Sequence, residues 1–326
     1  MMNNIASTDC LKLSVIVLTY NQENTIAQTL DSILQQKHNY SYEIVIGEDC
    51  STDRTREILL EYQSRHPDVI RLLLNEKNLG LIGNYFNVIE HCRGEYIMQC
   101  AGDDWWLPGK VALQIPYMDN HPECGMCYTD AVAIHVNRPM QDRNIIFRGR
   151  NENTIESLLM YNHVVAPTIV LRRQILGQYQ KDVLPVSQNW QLEDYPMWLW
   201  IAINSCIAYI SESTVCYRIS SGTVSRPHEY LLKLEFMASE NQIKMFYINR
   251  NPVISPYIAL FVKMEAISIQ LQIAYIKRNI TALNQLRRTL LRQWKINVGL
   301  RKSIKYIGLI LFPGIMIKII QNRLLN

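Results

Sequence analysis

Three pairs of acids stand at the edges of apolar runs: Glu48-Asp49, Asp103-Asp104 and Glu193-Asp194. Two adjacent carboxylates repel each other unless a proton or a cation lies between them. Asp103-Asp104 follows the apolar run 96–100 and precedes Trp105-Trp106-Leu107-Pro108, so both carboxylates are expected at the rim of a buried sheet. Hard oxygen ligands of that kind suit Mg²⁺ or Mn²⁺, held by one or two carboxylates together with substrate phosphates. Glu48-Asp49 is the wrong chemistry for cradling a phosphate directly, which wants backbone N–H groups and glycines. It suits hydrogen bonding to hydroxyls and base N–H groups, with a metal as the other choice. Glu193-Asp194 heads an apolar segment. A helix start there would favour the anion, while Trp190, Met197 and Trp198 would oppose it. Ordinary turn and cap duty is the competing explanation for each pair.

The elements that position these acids form an α/β series. Val15 to Thr19 is apolar or β-branched throughout, as in a strand buried on both faces of a parallel sheet. From Thr25 apolar residues return at Ile26, Leu30, Ile33 and Leu34, a helical spacing. Strands are likewise expected at 43–47, 69–74, 96–100 and 124–129. Helices are expected from Arg54, over 84–92 and from about Gly109 to Met118. Ser51, Thr52 or Asp53 is available to cap the helix that starts at Arg54. Regular alternation implies parallel pairing with right-handed crossovers. Ligands of such sheets bind outside the carboxyl ends of the strands, where Thr19, Tyr20 and Asn21 fall. No G-x-G-x-x-G and no G-x-x-x-x-G-K-[ST] occurs, so glycines do not cradle whatever binds. Residues 130–153 read as loop with an edge strand. From Leu231 the chain reads as helices over 231–249, 256–278, 280–294 and 300–324.

The 326 residues carry a net charge of +4, unevenly spread. From Ala266 to the end there are eleven Lys or Arg and no acid, while the remainder is acidic. A basic tail implies an anionic partner, membrane or nucleic acid. The apolar stretch 306–320, interrupted by Pro313-Gly314, is shorter than the roughly 20 residues a spanning helix needs. With basic residues on both sides it suits an interfacial anchor or a packed helix pair. Eight scattered cysteines favour a reducing compartment over a disulfide framework. Cys124-Gly125-Met126-Cys127 stands alone, without a second pair for a zinc site. No secretory signal pattern opens the chain.

Several motifs in order carry a resemblance: Val-Ile-Val-Leu-Thr-Tyr-Asn at 15–21, Ile-Gly-Glu-Asp-Cys-Ser-Thr-Asp at 46–53, Gly-Glu-Tyr-Ile at 94–97 and Gly-Asp-Asp-Trp-Trp at 102–106. Over roughly residues 12–226 the chain resembles the family 2 glycosyltransferases of the bacterial surface-polysaccharide type. The resemblance implies a GT-A-like α/β fold, a mostly parallel sheet flanked by helices, as the catalytic domain over 1–226. An all-helical basic extension over 227–326 would follow it. It also implies an inverting enzyme that uses a nucleotide-diphosphate sugar donor and a divalent cation, Mn²⁺ or Mg²⁺. By position Thr19, Tyr20, Asn21, Glu23, Glu48 and Asp49 would contact the nucleoside, Asp103 the metal, and Asp194 would be the general base. Asp104 would stand in for the family's first D-x-D acid, which is Ala101 here. Arg218, in the segment resembling the closing loop, would clamp the diphosphate, though Ser220 falls where that loop has a His. His163 lies in the stretch resembling the acceptor side. The partners implied are a glycan or lipid-linked acceptor and an anionic membrane surface rather than nucleic acid, with the protein peripheral on the inner, cytoplasmic face of the cell membrane. The rival readings are a non-catalytic sugar-nucleotide-binding or assembly subunit and a nucleotidyltransferase.

Overall fold

The computed structural model describes residues 11–135, 145–220, 227–293, 306–309, 311 and 313–325. The chain divides into two compact units. One comprises Met1–Thr154, His163–Asn189 and Glu193–Ile219. The other comprises Ile155–Asn162, Trp190–Leu192 and Ser220–Asn326.

The first unit is built as strand and helix in turn: β1 (Leu13–Thr19), α1 (Ile26–Leu34), β2 (Tyr42–Glu48), α2 (Thr55–Arg65), β3 (Ile70–Leu74), α3 (Gly80–Glu90) and β4 (Tyr96–Ala101). The four strands lie in the order β3-β2-β1-β4, all parallel. The apolar runs of β1, β2 and β4 are buried on both sides, which is why they read as continuous hydrophobic stretches, while β3 at the edge is only half-buried. Val15, Val17, Ile44, Ile46 and Met98 pack with Ile26, Leu30 and Ile33 of α1 in the core.

Beyond β4 the sheet turns mixed. After β5 (Trp105–Trp106) and α4 (Lys110–Asn120) come β6 (Cys124–His135), β7 (Ile145–Phe147), β8 (Val170–Arg172), α6 (Leu176–Val183), α7 (Tyr195–Asn204) and β9 (Cys206–Ile219). β8 is antiparallel to both β4 and β6, β9 runs parallel to β6, and β5 is antiparallel to β9. The expectation of parallel pairing therefore holds for the first four strands and gives way where β8 enters. β7 is the expected edge strand within 130–153, and β6 extends six residues past its expected end.

The second unit holds α5 (Ile155–Met160), α8 (Tyr230–Arg250), α9 (Pro256–Ile276), α10 (Ile280–Gln293) and α11 (Pro313–Leu325). Its core gathers Tyr230 and Leu234 of α8, Met264, Ile267 and Leu271 of α9, Leu290, Leu309 and Ile317. Among the described residues α9 is the one helix long and apolar enough to cross a membrane, and half of that stretch is buried within the protein. The first three expected helices are present within a few residues. Of the fourth, 306–309 and α11 are helical, with Pro313 at the start of α11, where a missing N–H costs nothing. The rest of it lies outside the described residues.

Candidate active site

Register brings the strand ends together: Thr19 stands beside Glu48, and Leu18 beside Ala101. The turn after β1 is fastened to the turn after β2. Asn21, at φ 52°, receives the Thr52 N–H on its Oδ1 at 2.8 Å and gives its own N–H to Ser51 Oγ at 3.0 Å. Glu23 Oε2 accepts from the Arg54 N–H at 3.0 Å. Asp53 accepts from the N–H of Thr55, the first residue of α2, at 2.9 Å and of Glu23 at 3.1 Å, while Arg54 holds the N-cap position itself. Burial would raise the Asp53 pKa, but these bonds outweigh it and hold the carboxyl below its ordinary range. Tyr20, 45% exposed, is left on the surface of this double turn.

The two acids ending β2 are spent largely on holding the frame. Glu48 is fully buried, with one oxygen on the Ser51 N–H at 2.5 Å and the other paired with the Arg56 guanidinium. Asp49 accepts from Asn75 Nδ2 at 3.0 Å, Leu79 N–H at 2.8 Å and Gly80 N–H at 3.0 Å. It therefore fixes the start of α3, where an anion also meets the positive end of the helix.

Asp103 and Asp104 part company. The sequence places both at the crevice, but Asp104 is 1% exposed and turned inward, its Oδ1 accepting the Arg218 N–H at 2.7 Å. Thr29 Oγ1 donates to its carbonyl at 2.6 Å. Asp104 thus clips the end of β9 to the turn and to α1. Asp103 remains half-buried, and burial pushes its pKa up against the weaker opposing pull of Arg218. The Arg218 guanidinium donates to the Asp103 carbonyl and to Gln28 Oε1 at 2.6 Å, and lies over the Trp105 ring, 4.6 Å from its centre. Among the described residues no three His, Cys, Asp or Glu side chains group as a complete metal site. A lone carboxylate whose charge is disfavoured until a cation arrives fits Mg²⁺ or Mn²⁺ held chiefly by phosphate oxygens and water.

Gln22, which sequence reasoning missed, points into the same corner as Thr19, which it named. Thr19 Oγ1 and Gln22 Oε1 are buried with no hydrogen-bond partner. Both crowd Gly102, where an added Cβ would meet Gln22 Oε1 at 2.2 Å and Thr19 Oγ1 at 2.9 Å. Gln22 sits between Asn21 and Glu23, a position that was the available signal.

Asp194 is the N-cap of α7 and accepts the Tyr195 N–H at 2.5 Å. Glu193 beside it is pushed up to about 8, by burial first and then by the charge of Asp194. His163 Nε2 pairs with Asn153 Oδ1 at 2.9 Å, and its ring is tilted against Tyr128. Cys124 and Cys127 are both buried free thiols in β6.

This arrangement has relatives. A model of glycosyl transferase family 2 matches residues 14–179. An uncharacterized protein of Mycobacterium tuberculosis is 31% identical over 208 residues, 63% of this chain and 58% of that one. The chain thus spans little more than half the length of that relative. WfgD of Escherichia coli, a UDP-Glc:α-D-GlcNAc-diphosphoundecaprenol β-1,3-glucosyltransferase, is 28% identical over 65% of this chain and 79% of its own. Among solved structures, the mannosyltransferase PcManGT of Pyrobaculum calidifontis, in complex with GDP-Man and Mn²⁺, superposes with a TM-score of 0.56. That match covers 97% of this chain and 86% of that one at 14% identity. TarS of S. aureus with UDP-GlcNAc gives 0.52 over 86% and 92% at 17% identity. At such identities the structural likeness speaks to the fold, which is GT-A, and the family match covers half the chain. The chain belongs to glycosyl transferase family 2.

Proposed function

We propose that this chain is an inverting glycosyltransferase that moves one sugar from a nucleotide-diphosphate donor to an acceptor hydroxyl in the assembly of a bacterial surface polysaccharide. The observation that carries the reading is the lone, half-buried Asp103 carboxylate at the carboxyl end of β4, with Arg218 across the same turn. The double turn of Thr19, Tyr20, Asn21 and Glu23 receives the nucleoside. Its unpartnered Thr19 and Gln22 oxygens are available to ligand hydroxyls and N–H groups. Glu48, Asp49 and Asp104 hold the walls of that pocket, and the oxygen positions of Asp49 not taken by the chain face the base. Asp103 holds a divalent cation. When bound, that ion offsets the charge that develops on the departing diphosphate. Arg218 adds a planar pair of donors to the same phosphates.

Asp194 takes the acceptor proton. The acceptor O–H bond breaks as its oxygen forms a bond to the anomeric carbon. The bond from that carbon to the diphosphate oxygen breaks on the opposite face, and the electron pair leaves with the diphosphate. Positioning of this kind can supply many orders of magnitude of rate. A donor with UDP or GDP and a lipid-linked glycan acceptor are the chemistries suggested by the names of the relatives. Work on such an acceptor at the inner face of the cell membrane would give the basic tail an anionic surface to meet.

The test is release of nucleoside diphosphate from UDP-glucose, UDP-N-acetylglucosamine and GDP-mannose, with and without Mn²⁺. Asp194→Asn should bind donor as the parent does and lose turnover by 10²-fold or more, the usual worth of a general base. A variant that keeps over about a tenth of the rate would remove Asp194 from that role. A parent chain that binds donor but never turns it over would favour the binding-subunit reading, which Ala101 in place of an acid invites.

A further inference from the structure

Arg218 stands near the end of β9 with its side chain fixed on three sides. Its backbone N–H is tied to Asp104 Oδ1 at 2.7 Å, which sets where the side chain starts. The guanidinium donates to the Asp103 carbonyl and to Gln28 Oε1 of α1, the latter at 2.6 Å. Its central carbon lies 4.6 Å from the centre of the Trp105 ring, within cation–π range. The third contact follows from register. β5 is antiparallel to β9 with Trp105 opposite Cys216, so Trp105 and Arg218 are diagonal neighbours on one face of the pair.

None of these three partners is charged. Asp104 gives its oxygen to the Arg218 backbone, and Asp103 meets the guanidinium through its carbonyl. The arginines that build the frame of this unit are neutralised instead: Arg56 pairs with Glu48, and Arg71 and Arg93 pair with Glu43. Among the described residues the Arg218 guanidinium has no ion-pair partner. Two neutral acceptors and an aromatic face restrict its rotamers and leave its full charge unanswered. Of its five N–H donors two are used, so a further anion can still be met. Ordering such a side chain beforehand removes a cost that binding otherwise carries.

We infer that Gln28 and Trp105 are positioning residues that hold Arg218 ready for the diphosphate of the donor, and that the neutral amide at position 28 keeps the charge of Arg218 free for it. This rests on the reading of Arg218 as the diphosphate clamp and deepens it. Gln28 and Trp105 act through Arg218 and add selectivity for a diphosphate over a monophosphate. A glutamate at position 28 would grip the guanidinium harder and yet defeat the device, because its carboxylate would offset the charge that the phosphates need. Gln28 is exposed on α1, so its substitution leaves the core untouched.

Calorimetry on the full-length protein at fixed Mn²⁺ reads this as a preference, the affinity for UDP over UMP and for GDP over GMP. Gln28→Met should lower the preference by about three- to tenfold, the worth of one long side chain ordered in advance. Gln28→Glu should lower it at least as far. Trp105→Leu should lower it too, and Trp105→Phe, which keeps a ring, should lose less. Monophosphate affinity should stay at the parent value in the Gln28 variants, which a general loosening of the site would not allow. On an Arg218→Met background, Gln28→Met should have no further effect, because its action passes through the arginine. The inference is overturned if Gln28→Met or Gln28→Glu keeps the parent's preference, or if the loss from Gln28→Met persists without Arg218. Should Trp105→Leu fail to fold, the Gln28 variants still decide. An Arg218→Met protein that keeps the preference removes the clamp reading itself. A changed preference in Arg218→Met beside an unchanged one in both Gln28 variants removes the positioning role alone.

Discussion

Lys110 opens α4 just past β5, and no part of it is exposed. Its ammonium has Gln114 Oε1 at 2.6 Å, Thr214 Oγ1 at 3.5 Å and the centre of the Trp106 ring at 5.4 Å. None of these is an anion, and burial pushes the amine down from 10.5 to about 7. Between those values the unfolded chain keeps a proton that the native state has shed, so stability should rise with pH across that window. Below about 7 both states carry the proton and the slope disappears. The buried thiols act in the opposite sense. Cys92 and Cys127 are raised to about 12, and Cys100 is raised as well, each by burial first. Their unfolded forms ionise first, so stability falls as pH climbs past the ordinary thiol range. A curve for the parent protein sums the two, and comparison with Lys110→Met isolates the lysine. Methionine keeps the bulk and loses a donor to Gln114, which costs about 1–3 kcal/mol at every pH. The lysine contributes a slope of at most about 1.4 kcal/mol per pH unit. From pH 7 to pH 9 the stability of the parent relative to the variant should therefore grow by about 2 kcal/mol in urea unfolding. Parallel stabilities at the two pH values would mean that Lys110 keeps its proton in the fold, and the desolvation argument would fail.

Asp103→Asn should abolish the Mn²⁺ dependence of UDP or GDP binding in calorimetry, since the amide keeps the shape and loses the ligand charge; unchanged binding would place the cation elsewhere. Gly102→Ala should destabilise the first unit by about 1–3 kcal/mol, because the β-branched Thr19 on a strand cannot withdraw as Gln22 can. It should weaken nucleotide binding at the same time, and a thermal melt within a degree of the parent would show that the corner is looser than described. The basic tail should carry full-length protein up with anionic vesicles in flotation at low salt, with partial release at high salt. Failure to float at low salt would assign the tail to packing or to contact between copies.

The strands of the parallel half were legible because burial on both faces leaves an uninterrupted apolar signature, as in Val15 to Thr19. β9 was not. Its run Ile-Ser-Glu-Ser-Thr from Ile210 to Thr214 is mostly polar and exposed at Ser211 and Glu212, so only its last residues, Tyr217-Arg218, attracted notice, and those were read as a loop. β5 was hidden for a different reason: two residues carry no period, and only pairing with β9 makes Trp105-Trp106 a strand. The antiparallel entry of β8 follows from tertiary pairing with β4 and β6, which no local pattern in Val170–Arg172 encodes.

The acid pairs carry the deeper lesson. In each, the position at an element's edge is a local property, so Glu48-Asp49, Asp103-Asp104 and Glu193-Asp194 all fall where the sequence places them. Which carboxylate faces a ligand is decided by partners far along the chain. Arg56 and the Ser51 N–H draw Glu48 in, Asn75 and the head of α3 draw Asp49, and the Arg218 backbone, 114 residues away, draws Asp104. An acid that finds such partners becomes part of the frame, because satisfied hydrogen bonds make burial of its charge affordable. An acid that finds few keeps a carboxyl for which charge is costly, as at Asp103 and Glu193, where burial lifts the pKa. Of the Asp103-Asp104 pair, Asp103 is the member left with a carboxyl at the strand end, and the proposed metal site falls there. In the reading proposed above, a divalent cation would offset the cost that burial places on the Asp103 charge.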